Sequence, residues 1–173
     1  MDELEIEIKA YCSDLSKVKQ KIIELGADIL KTAEEKDQYF NHPGRDFGET
    51  DEALRIRTVN SDSVLTYKGP KISQNSKARI EKEVGVSNES VSHDILILLG
   101  FKESGAVIKQ REYYQLNGIT ICLDKVEKLG DFVELEQMGT DIEHIEKELF
   151  NLASQLGLHQ FERKSYLELT LEL

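Results

Sequence analysis

Strands that alternate ionised and aliphatic side chains recur along this chain, and that recurrence restricts it to a sheet with one apolar face and one charged face. Glu3-Leu4-Glu5-Ile6-Glu7-Ile8-Lys9 begins the series. Ala53-Leu54-Arg55-Ile56-Arg57, Arg79-Ile80-Glu81-Lys82-Glu83-Val84, Val107-Ile108-Lys109-Gln110-Arg111 and Phe132-Val133-Glu134-Leu135-Glu136 continue it. Side chains two apart on a strand point the same way. The pairs Arg55/Arg57, Lys109/Arg111 and Glu134/Glu136 are therefore like charges side by side, with no compensating residue on their own strand. A solvated strand face usually mixes Thr, Ser, Lys and Glu. Like charges at this spacing repel, and a ligand of opposite sign between them removes the repulsion.

The composition suits such a sheet. Hydrophobic residues make up 39% and charged residues 32% of 173, a balance that favours strands with one apolar face over strands buried on both. That length accommodates one domain, residues 1–173. The net charge of −11 argues against nucleic acid or an anionic membrane as the main partner. No segment approaches the roughly 20 apolar residues of a membrane span. The acidic start at Asp2 and Glu3 is unlike a signal or transit peptide, so a cytoplasmic protein is expected. Cys12 and Cys122 each sit among apolar strand neighbours and read as two buried thiols in a reducing compartment. His42, His93, His144 and His159 fall on loops or helices, form no cluster and read as surface residues.

A coarse pass predicts a strand over 3–12, a helix capped by Ser13 or Asp14 and stopped by Gly26, and a strand over 28–41. After the turn-rich 42–48 come strands near 53–59 and 63–69, and an aperiodic, mobile loop over 70–77. A strand at 78–86 leads to a helix at 89–99, with Ile95, Leu98 and Leu99 as its apolar contribution. Strands near 101–104, 106–116 and 119–126 follow, the last two joined by Asn117-Gly118, the strongest hairpin signal present. A strand over 132–138, a helix over 141–156 and a final strand over 161–172 complete the reading. Leu25-Gly26-Ala27 and Leu99-Gly100-Phe101 end helices in similar strand-helix-strand settings, as two related halves would.

The expected fold is α+β: a closed antiparallel eight-stranded β-barrel, free of edges, with amphipathic helices packed outside and the charged face lining a wet lumen. Glutamates in such a lumen can hold divalent cations, while arginines and lysines grip phosphate oxygens. Phosphoryl and nucleotidyl transfer use that equipment, because their catalysis is largely positioning and charge neutralisation.

Seven elements in order resemble the CYTH superfamily, the triphosphate tunnel metalloenzymes. They are Glu5-Ile6-Glu7-Ile8-Lys9, Leu54-Arg55-Ile56-Arg57, Thr66-Tyr67-Lys68-Gly69-Pro70, Arg79-Ile80-Glu81-Lys82-Glu83, Lys109-Gln110-Arg111, Leu123-Asp124-Lys125-Val126 and Phe132-Val133-Glu134-Leu135-Glu136. The Tyr67-Lys68-Gly69-Pro70 segment, Leu129-Gly130-Asp131-Phe132-Val133-Glu134-Leu135-Glu136 and the closing Ser165-Tyr166-Leu167-Glu168-Leu169 look most like its class IV adenylyl cyclase branch. The resemblance implies a tunnel that binds a triphosphate with Mg²⁺ or Mn²⁺. It places Glu5, Glu7 and Glu136 on the principal metal with Glu134 beside it, and Asp124 on a second metal or orienting the attacking group. Lys9, Arg55, Arg57, Lys68, Arg79, Lys109, Arg111 and Lys164 would contact phosphate, with Lys9, Arg57 and Asp124 closest to the chemistry. Glu81 and Glu83 would reach metal through water or pair with arginines.

Three activities fit that implied tunnel. A cyclase would convert ATP to cyclic AMP and pyrophosphate. A triphosphatase would hydrolyse inorganic, thiamine or nucleoside triphosphate, and a module would bind a triphosphate without turnover. The branch-level similarity favours the cyclase. The resemblance also allows a homodimer.

Overall fold

The computed structural model describes residues 2–173. Eight antiparallel strands form one curled sheet: β1 (Leu4–Tyr11), β2 (Asp28–Asn41), β3 (Ala53–Val59), β4 (Asp62–Lys68), β5 (Glu81–Val86), β6 (Lys102–Leu116), β7 (Ile119–Val126) and β8 (Gly130–Gly139). Five helices accompany them: α1 (Leu15–Glu24), α2 (Phe47–Thr50), α3 (Glu89–Leu98), α4 (Ile142–Gln155) and α5 (Tyr166–Leu171). None of the helices is long and apolar enough to cross a membrane.

The strand order β1-β8-β7-β6-β2-β3-β4-β5 is symmetric about the long β2–β6 pair. Renumbering β1–β4 as β5–β8 and the reverse leaves the pairing unchanged, and α1 and α3 follow equivalent strands. The two-halves reading of the Leu-Gly junctions is therefore matched by topology.

Strand alternation sorts the side chains. Leu4, Ile6, Ile8 and Ala10 of β1 pack with Ile121, Leu123, Val133 and Leu135 against Val18 and Ile22 of α1 and Leu149, Leu152 and Ala153 of α4. This core lies on the convex face. The opposite parity puts Glu5, Glu7, Lys9, Lys109, Arg111, Glu134 and Glu136 on the concave face. That face also carries an apolar cluster of Tyr39, Val107, Val126, Phe132 and Tyr166.

The ladders make a curled sheet, and among the described residues none joins the edge strands β1 and β5. The edges meet through the chain just before β5. Arg79 and Glu5 exchange backbone hydrogen bonds of 3.0 and 2.9 Å, and Lys77 N–H donates to the Glu7 carbonyl at 2.9 Å. The aperiodic 70–77 segment is thus fixed at its end rather than mobile. Ser76, Lys77 and Ala78 are buried, and Ser76 donates to the buried Glu146 of α4 at 2.6 Å.

Three further expectations are corrected. The closing segment is no strand: Ser165 and Glu168 form a reciprocal capping box that starts α5. One strand, β6, replaces the two short ones at 101–104 and 106–116. Its pairing with β2 shifts register beside Gly105, whose φ is +149° and where a Cβ would lie 2.7 Å from Leu167 Cδ1. Glycine therefore lets α5 settle onto the sheet. On α3 the buried side chain is Leu96, packed with Phe40, Phe47, Leu54 and Ile56, whereas Ile95, Leu98 and Leu99 are exposed.

Candidate functional site

The concave face encloses a cavity of about 640 Å³. At one part of its wall, β1 and β8 bring Glu5, Glu7 and Glu136 together, with one carboxylate oxygen from each inside 4.8 Å of the others. Glu7 and Glu136 are register partners across the ladder. Two ammonium groups flank the trio. Lys68 Nζ lies 2.7 Å from Glu5 and 3.0 Å from Glu81, and Lys77 Nζ lies 2.7 Å from Glu7. Glu136 has no ion pair among the described residues. Burial, then the like charges of Glu5 and Glu7, push its carboxyl up to about 8. Burial also raises Glu5, against the opposing pull of Lys68.

Beyond the trio the concave face carries a network of cations and carboxylates. Arg57 donates twice to Asp37, at 2.7 and 2.8 Å, and Lys109 lies 3.0 Å from Asp37 and 3.2 Å from Glu35. Arg111 donates to both oxygens of Asp124 at 2.6 Å and to Glu134 at 2.7 Å. Tyr166 of α5 completes the Asp124 shell with a 2.6 Å hydrogen bond. Arg55 is loosely held: its nearest carboxylate contact is 3.8 Å, to Asp37, and its buried Nε has no partner. Burial alone would raise Asp37 and Glu134. The cations Lys109, Arg55 and Arg57 around Asp37, and Arg111, Lys77 and Lys9 around Glu134, outweigh it and hold both well below the usual carboxylate range.

Most of the expected site residues converge here. Glu5, Glu7, Lys9, Arg55, Arg57, Lys68, Arg79, Lys109, Arg111, Glu134 and Glu136 all line the cavity. Two are placed otherwise. Asp124 is fully buried with both oxygens engaged, so it braces Arg111 and Tyr166 instead of facing the cavity. Lys164 turns its ammonium outward to Glu172, while its carbonyl accepts from Lys9 Nζ. Lys9 itself is buried 4.2 Å from the centre of the Tyr166 ring, and burial followed by nearby Lys77 lowers its ammonium well below the lysine range. Glu134 stands with Arg111 rather than in the acidic trio.

Glu35, Asp37 and Lys77 were not singled out from sequence as site residues. The first two sit in Glu34-Glu35-Lys36-Asp37-Gln38, polar at every position, so alternation cannot say which parity faces inward. Lys77 lies in the aperiodic segment, with no pattern to mark it.

The trio fits a hard dication. Three carboxylates offer only oxygen, the donor that Mg²⁺ and Mn²⁺ prefer, and Glu136 in particular lacks a compensating charge.

The model of the CYTH domain matches residues 3–166. A Methanocaldococcus jannaschii protein, provisionally named an adenylate cyclase, is 42% identical over 171 residues, covering 96% of this chain and 98% of its own. The adenylate cyclase CyaB of Aeromonas hydrophila is 28% identical over 170 residues, covering 94% and 86%. The solved structure of a Pyrococcus horikoshii protein superposes with a TM-score of 0.90 at 42% identity, covering 97% of this chain and 98% of that one. A Hippeastrum protein, provisionally named an adenylyl cyclase and described as having a dominant triphosphatase activity, shares the fold at a TM-score of 0.69 and 20% identity, covering 98% and 95%. With its family model spanning nearly the whole sequence and its acidic trio and basic network on one concave face, the chain belongs to the CYTH family.

Proposed function

We propose that this chain, working as one tunnel domain, is a metal-dependent enzyme of the class IV adenylyl cyclase type that converts ATP to cyclic AMP and pyrophosphate. One observation carries the reading. The acidic trio and the basic network share a cavity of about 640 Å³ whose lining also includes the apolar side chains of Phe47, Ala53, Leu167 and Leu171. That volume lies in the range of small-ligand sites, roughly 300–1,000 Å³. Apolar lining residues suit a nucleobase, whereas inorganic triphosphate would have no use for them. The names of the two cyclase-named relatives support the same choice.

Glu5, Glu7 and Glu136 would hold Mg²⁺ or Mn²⁺, which when bound supplies positive charge for the phosphate oxygens. Arg55, Arg57, Lys109 and Arg111 neutralise the rest of a triphosphate that carries about four negative charges. Asp37 and Asp124 fix the Arg57 and Arg111 guanidinium planes, so these donors need no reorganisation as charge develops. In cyclisation the ribose 3′-oxygen attacks the α-phosphorus, the bond to the bridging oxygen breaks, and pyrophosphate leaves with the new negative charge. The 3′ proton departs to cavity water.

The second reading, hydrolysis of the terminal phosphate, uses the same cations and is favoured by the activity described for the Hippeastrum neighbour. Incubation with Mg²⁺ or Mn²⁺ and ATP, inorganic triphosphate or thiamine triphosphate, followed by chromatography of the products, separates the two. Cyclic AMP with pyrophosphate supports the cyclase. Orthophosphate identifies a triphosphatase, and binding of ATP without products leaves a non-catalytic module.

A further inference from the structure

Lys77 stands outside every charged strand motif, yet it is buried against the acidic trio and lines the cavity. Its position is fixed from two sides. Its own N–H is hydrogen-bonded to the Glu7 carbonyl at 2.9 Å, and its neighbour Ser76 is tied to Glu146 of α4 at 2.6 Å. The ammonium donates to Glu7 Oε1 at 2.7 Å, its one ion pair among the described residues. Lys68, the partner of Glu5, is differently placed: it also lies 3.0 Å from Glu81 and keeps a carboxylate if Glu5 is drawn elsewhere. Lys77 has no second carboxylate at ion-pair distance among the described residues, and its other acidic neighbour, Glu134, is already held by Arg111 at 2.7 Å.

A dication held by Glu5, Glu7 and Glu136 contends with Lys77 for the same Glu7 carboxylate. An ammonium deprived of that partner in a buried site is costly unless another anion reaches it. The anion that enters this cavity is the substrate's phosphate chain. From this arrangement we infer that Lys77 couples metal loading to substrate binding: it competes with the divalent cation for Glu7 and, when displaced, contacts a phosphate oxygen of the triphosphate. The inference rests on the reading of the trio as the metal site. Metal and triphosphate then reinforce one another, because each relieves a cost that the other imposes.

The test is a pair of calorimetric titrations on the full chain stripped of metal with a chelator, one with Mn²⁺ alone and one with preformed Mn²⁺–tripolyphosphate. Lys77→Met is expected to bind Mn²⁺ alone about 3- to 10-fold more tightly and Mn²⁺–tripolyphosphate about 10-fold more weakly, the scale of a single charge-assisted hydrogen bond. Lys77→Arg, which keeps the charge, is expected to stay within about 2-fold of the wild type in both. A lysine with a merely structural role would weaken both constants together. That result, or no change in Lys77→Met, overturns the inference. If circular dichroism shows Lys77→Met unfolded, Lys77→Gln retains a donor toward Glu7 and is expected to show the same opposed shifts. Glu136→Gln separates this inference from its premise. Unchanged Mn²⁺ affinity in that variant removes the metal site itself. Weakened affinity there, with no tighter Mn²⁺ binding in Lys77→Met, overturns the role of Lys77 alone.

Discussion

Glu7 and Glu136 stand directly opposite each other in the β1–β8 ladder, and both carboxylates line the cavity. Like charges in that relationship destabilise a sheet by roughly 0.2–1 kcal/mol, so the pair has a cost that a bound dication would offset. Glu136→Gln is expected to melt at or above the wild-type temperature while binding Mn²⁺ at least about 10-fold more weakly. Glu7→Gln is expected to abolish turnover and blunt its metal dependence. Thermal melts paired with Mn²⁺ titration check both, and a Glu7→Gln enzyme with normal activity would remove Glu7 from the metal site.

Arg55 and Arg111 should behave oppositely although both are buried. Arg111→Met strands Asp124 and Glu134 without their guanidinium, a loss of about 3–5 kcal/mol by denaturant unfolding. Arg55 has one ion pair among the described residues, the 3.8 Å contact to Asp37, which keeps Arg57 and Lys109. Arg55→Met is therefore expected to change stability by less than about 1 kcal/mol and to weaken triphosphate binding by about 10- to 100-fold. Arg57→Ala is expected to lower turnover on the order of 10- to 1,000-fold, measured at saturating substrate.

Asp37 governs an acid limb of stability. Its folded carboxyl is held well below the usual range because Lys109, Arg55 and Arg57 outweigh burial. A depressed carboxyl contributes stability that is complete above its unfolded value, about 4, and is lost as pH falls toward the folded value. Urea unfolding between pH 7 and pH 3 should show that decline in the wild type, and Asp37→Asn should flatten it. An equally steep decline in the variant would assign the acid limb to other carboxylates.

Strict alternation made β1, β3 and β8 legible, because Ile or Leu between successive charges leaves one register that buries the aliphatics. The Glu5, Glu7 and Glu136 trio followed from strand parity and the family resemblance together. Glu35 and Asp37 were not legible, since β2 is polar on both faces there. Its register against Lys109 of β6 and Arg57 of β3 selects the inward parity, and that pairing is long-range. Lys77 depends in the same way on a backbone hydrogen bond to a residue 70 positions away, the separation of its ion pair. Tyr166-Leu167-Glu168-Leu169-Thr170-Leu171 alternates as a strand would, but the Ser165–Glu168 capping box made it α5. That helix brings Tyr166 to Asp124.

Ser165→Ala tests that cap. Losing the hydroxyl that accepts from the Glu168 N–H is expected to cost about 1 kcal/mol in stability. Tyr166→Phe, which leaves Asp124 its Arg111 contacts, should cost a similar amount by the same unfolding measurement.

The central claim, attack on the α-phosphorus within the charged cavity, is tested most directly by turning over ATP in ¹⁸O-labelled water and weighing the products by mass spectrometry. Cyclisation by the ribose oxygen predicts cyclic AMP and pyrophosphate, both free of ¹⁸O. Orthophosphate carrying ¹⁸O, with no cyclic AMP, would contradict it.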